Sequence, residues 1–119
     1  MAHSTLHAAV GMAAGLAIGL PALRTAWKAR EPLARPLARW MALGAACAAW
    51  ALVPSLLHFA GAPESVCGNA WMHVFFLHPA IASLHRWTGF AGPLLLAALL
   101  AAQYALLLVA IARVRKPEE

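Results

Sequence analysis

The chain has 119 residues, 63% of them hydrophobic and only 11% charged, with a formal net charge of +5. A soluble domain of this size carries about 25% charge. The composition therefore excludes an ordinary water-facing globule, and the length allows one domain at most. The apolar residues run in long blocks rather than in alternation, as helices in a bilayer do. The expected fold is all-α: one transmembrane domain over 1–119, an integral membrane bundle of three spans plus a short interfacial or re-entrant segment.

The first apolar run, 6–23, has no Lys or Arg before it and basic residues after it. A secretory signal has the reverse polarity, so the run reads as an uncleaved span with its N-terminus outside. Gly11, Gly15 and Gly19 recur every four residues and so share a helix face. Such a small-residue face lets another backbone come close in lipid, either within the chain or in a second copy. His7 and His3 continue the same face. Pro21 is expected to bend or end the helix. Arg24 to Arg39, with Pro32 and Pro36, reads as a basic linker.

The second span is expected over 40–62. Its small residues Gly44, Ala48, Ala51 and Ser55 fall three or four apart, and His58 and Ala62 extend that stripe. Pro54 should kink it and free a carbonyl that neighbours must satisfy. Trp40 reads as an interfacial anchor, and Trp50, deeper, as a residue packed on a neighbouring helix. Residues 63–70 form a polar turn. The apolar stretch 71–84 contains His73 and His78 and is too short to cross a core of about 30 Å; it is expected at the interface. The last span, 88–112, has no charge, and Gln103 within it is expected to bond across helices.

Three spans place the basic loop 24–39 and the basic tail 113–119 on one side, which the bias of Lys and Arg makes cytoplasmic. A fourth crossing would put them on opposite sides. The localisation this implies is the bacterial inner (plasma) membrane, multi-pass, with the N-terminus outside and the C-terminus in the cytoplasm. These cations lack interleaved aromatics and abut hydrophobic runs, so their partner is read as anionic lipid and not nucleic acid. Cys47 lies in a span and Cys67 in a loop, and no disulfide is expected between them.

This topology brings all six histidines to or near the outer face. His7 ends the glycine face of span one, and His58 ends the small-residue face of span two. His85 lies one turn before Gly89 and Gly92, the small face of span three. His78 is seven residues before His85 and shares its face if the helix is continuous. If those faces pack together, His7, His58, His78 and His85 form a candidate metal site. Neutral imidazoles suit zinc or copper, and two opposed histidines across a bundle can hold haem b iron axially. The structural alternative is that each is an interfacial anchor or helix-end hydrogen-bonder. The only nearby carboxylate is Glu64, a poor partner for zinc hydrolysis.

Two families are similar in their landmarks. His7 in STLHAAVG, then Pro54-Ser55-Leu56-Leu57-His58, then His85-Arg86-Trp87-Thr88-Gly89 resemble, in order, motifs of a small membrane-bound metal-dependent hydrolase-like family that the SOS repressor regulates in some bacteria. Ser55 and Leu57 stand where that family has acidic residues, and the second histidine of the later motif is missing. What the resemblance implies is therefore the fold. The phrase Ser83-Leu84-His85-Arg86-Trp87-Thr88-Gly89 also looks like the Ser-x-x-His-Arg-x-Thr-Gly signature of the succinate dehydrogenase cytochrome b anchor, one residue short and placed before the last span rather than the first. The functional expectation is a non-enzymatic subunit or binding protein in a homo-oligomer or larger membrane complex. Metal binding and a haem-bearing respiratory anchor are the alternatives.

Overall fold

The computed structural model describes residues 2–63, 65 and 90–115. They form three helices, α1 (Ala2–Lys28), α2 (Ala34–Phe59) and α3 (Ala91–Arg115), and no strand is present among them. At 1.5 Å per residue each helix is about 37–40 Å long, enough for a hydrocarbon core of about 30 Å. Their best windows have mean hydropathies of 1.7, 1.7 and 2.5. The chain is a helical membrane bundle, with all three helices long and apolar enough to span. The expected interfacial segment 71–84 lies outside the described residues.

The helices are longer at the basic end than expected. Pro21 lies inside α1 and does not end it. The Thr25 hydroxyl donates to the Pro21 carbonyl at 3.0 Å, one turn on. Pro36 falls in the first turn of α2, where a missing N–H costs nothing because that N–H has no helical acceptor. The linker expected over 24–39 therefore shrinks to residues 29–33, and most of its cations sit on helix ends.

The two described turns end their helices in the same way. After α1, Arg30 N–H donates to the Trp27 carbonyl and Glu31 N–H to that of Ala26; after α2, Gly61 and Ala62 repeat the pattern on His58 and Leu57. This closure needs a left-handed residue, usually glycine. Gly61 supplies it at φ 98°, but after α1 the position is held by Arg30 at φ 54°. A residue with a Cβ there costs on the order of 1 kcal/mol relative to glycine.

Helix α1 is the centre. It packs along α2 and along α3, whereas α2 and α3 barely touch. The glycine face lies against α2. A Cβ on Gly11 would stand 2.5 Å from the Cys47 carbonyl oxygen, one on Gly15 2.5 Å from that of Leu43, and one on Gly19 2.9 Å from Trp40 Cδ1. The face expected to serve either internal packing or a second copy is thus used inside the chain. Lipid offers no hydrophobic drive between apolar helices, so close approach and hydrogen bonds hold them.

Hydrogen bonds of this kind cross between the helices. Trp40 Nε1–H donates to the Leu16 carbonyl at 2.8 Å, and Gln103 Nε2 donates to Met12 Sδ at 3.1 Å. Gln103 bonds across helices as expected. Trp40, expected as an interfacial anchor, is instead buried in the α1–α2 seam, and Trp50 is 50% exposed. The reason is helical phase. Trp40 lies four residues before Gly44 on the face that carries Leu37, Ala48 and Ala51, all buried, and Trp50 lies off it.

Candidate histidine site at the end of the bundle

The residues that position His7 come from all three helices. On α2, Gly11 faces Cys47 and Ala51, and Gly15 faces Leu43 and Cys47, so the two helices run antiparallel. Continuing that register puts His7 opposite the turn containing Pro54. On α3, a Cβ added at Gly92 would lie 2.8 Å from Leu6 N and 2.9 Å from Thr5 Oγ1. At the other end Arg113 lies over Trp27, so α3 runs parallel to α1. The expected small face of span three is confirmed at Gly92, and it packs beside His7.

His7 therefore sits where the three helices meet. It is 1% exposed, and with Pro54 it is among the most completely buried side chains described. The register of the two helices sets Ala51, 0% exposed, on the stretch of α2 that faces it. An imidazole at such depth is screened from lipid by protein on every side, which is how a bilayer tolerates a polar ring.

His58 continues the α2 stripe as expected, but it is exposed. It lies about one turn, or 5.4 Å, beyond Pro54 and level with the first residues of α1. His7 and His58 thus occupy the same end of the bundle, one in the interior and one at its edge. His78 and His85, with His73, Cys67 and Glu64, lie outside the described residues. Among the described residues no three His, Cys, Asp or Glu side chains group to hold a metal ion, and only two of the four expected ligands are among them.

The opposite end carries the cations Arg24, Lys28, Arg30, Arg35, Arg39 and Arg113, all exposed. The Arg113 guanidinium lies 3.6 Å from the centroid of the Trp27 ring. Sequence reasoning does not find this pair. The two residues are far apart in the chain, and only the parallel packing of α1 and α3 brings them together.

Compared with known protein families, curated proteins and solved structures, the chain matches none.

Proposed function

We propose that the chain is a small polytopic protein of the bacterial inner membrane, acting as a subunit or binding protein within a homo-oligomer or a larger membrane complex. In this reading the N-terminus is outside and the C-terminus cytoplasmic. The grouping of six cations at one end of the bundle supports that orientation through the bias of Lys and Arg to the cytoplasmic side. The observation that carries the subunit reading is the open side of the bundle. Because α2 and α3 barely touch, each presents aromatic side chains that α1 does not cover. Trp50 and Phe59 are exposed on α2, and Phe90 and Tyr104 at and along α3. Aromatic side chains are what protein interfaces use most.

The test is the mass of the detergent-solubilised complex by light scattering, with partners captured from the native membrane after mild crosslinking. A homo-oligomer, or a stoichiometric membrane partner, is expected. A monomer that retains no partner would refute the reading.

A second reading rests on His7. Polar side chains enclosed at the meeting point of transmembrane helices mark ligand and ion sites. In this reading His7, His58, His78 and His85 bind zinc or copper at the outer face. One metal per chain, lost on His58→Ala, is the expected result; a Soret band in the purified protein would assign haem b instead. Colourless, metal-free protein would end both.

A further inference from the structure

The turn after α1 and the last two turns of α3 enclose a groove of about 650 Å³. Trp27, Leu33 and Ala110 give it an apolar floor. Among the described residues its rim carries Lys28, Arg30 and Arg113 and one carboxylate, Glu31. The groove lies where α1 ends, α2 begins and α3 ends, which is headgroup depth for helices that cross a bilayer. We propose that it binds the phosphate of one anionic phospholipid, with the lipid's first methylenes against the apolar floor.

Three features carry this. The charge is complementary: three cations face one acid at the depth where anionic lipid phosphates lie. Arg113 is already set in place. Its guanidinium face lies on the Trp27 ring, and stacking uses the face and leaves the in-plane N–H groups free for a bidentate phosphate contact. Arg30 occupies a left-handed position, φ 54°, that favours glycine. Such strain at a specific residue is commonly kept where the side chain has a task, and here the side chain belongs to the rim. This site is at the opposite end of the bundle from the histidines and does not depend on either reading of them.

The test is native mass spectrometry of the delipidated full chain in detergent, titrated with phosphatidylglycerol or phosphatidylcholine. One phosphatidylglycerol is expected to be retained per chain in preference to phosphatidylcholine. Arg113→Gln and Arg30→Gly should each weaken it by about tenfold, as loss of a charge-assisted hydrogen bond does. Arg30→Gly relieves the turn, so its loss of lipid cannot be assigned to misfolding. Arg39→Gln, a cation outside the groove, should change it by less than about twofold. Equal loss in Arg39→Gln would mean diffuse attraction and overturn the proposal. So would displacement of the lipid by millimolar inorganic phosphate, which would mark a free-anion site. Equal retention of phosphatidylcholine would overturn it as well.

Discussion

Replacing Gly15 by alanine tests the arrangement of the bundle at one of its closest approaches. The new methyl carbon would stand 2.5 Å from the Leu43 carbonyl oxygen, 2.9 Å from Gly44 Cα and 3.0 Å from Cys47 Cβ. Two of these three neighbours are backbone, so no rotamer change can make room. Moving 2.5 Å out to the 3.4 Å of ordinary contact parts the helices by about 0.9 Å, and a gap of that size forfeits about a quarter to a half of the dispersion energy across it. Overpacking costs about 1–3 kcal/mol, and a clash with backbone belongs in the upper half of that range. Against this, alanine in place of glycine favours the helix by about 1 kcal/mol. The net expectation is a loss of about 1–2 kcal/mol. At Gly19 the nearest atom, Trp40 Cδ1 at 2.9 Å, belongs to a buried indole held by its bond to Leu16, so Gly19→Ala should also destabilise, by about 1 kcal/mol. Reversible unfolding in mixed micelles, titrated with dodecyl sulfate and followed by far-UV circular dichroism, measures both. Gly15→Ala at or above the stability of the unsubstituted protein would refute this packing.

The same titration checks three other expectations. Trp40→Phe should lose about 0.6–1.7 kcal/mol with its bond to Leu16, and Trp50→Phe, at a half-exposed site, less than that. Met12→Leu should cost about 1–3 kcal/mol because it strands the buried Gln103 amide, whereas Gln103→Leu removes the donor itself and should be close to neutral. Arg30→Gly should raise stability by roughly 0.5–1 kcal/mol by placing glycine in the left-handed turn; a loss would mean that the φ of 54° carries no strain.

Much of the bundle is written in residue spacing, because a helix face is a local property. Gly11, Gly15 and Gly19 mark the α1 seam, and Gly44, Ala48 and Ala51 mark its α2 counterpart. The α2 stripe already contained the answer for Trp40, four residues before Gly44, but reading the ring as an interfacial anchor gave its chemistry precedence over its phase. In α3 the polarity is nearly uniform, yet its covered or partly covered residues, Gly92, Leu96, Leu99, Gln103, Leu106, Leu107 and Ala110, fall three or four apart along one face. Helix ends were harder. Pro21 and Pro36 both argue for breaks, and whether a proline breaks a helix depends on its place in the turn and on partners such as Thr25. The Trp27–Arg113 pair could not be read from spacing, since a contact between distant segments depends on register between helices. At the histidine end, Gly92 packs on Thr5 and Leu6 as its small face predicts, while His58 lies at the edge because α1 begins level with it.

The two ends of the bundle use polarity in different ways, and the difference follows from where water is. At the basic end the charged groups can reach headgroups, so they stay exposed and only the hydrocarbon parts of the turn, Leu33 and Trp27, need cover. At the histidine end His7 is 1% exposed and enclosed by protein. That enclosure draws on small residues: Ala51 on the facing stretch of α2, and Gly92, which allows α3 to approach Leu6. A larger residue at either would push a helix outward and open the imidazole. The small faces of all three helices thus have one structural result at this end, the sealing of a single polar ring. This enclosure is the physical reason for directing metal analysis first to the end of the bundle that holds His7.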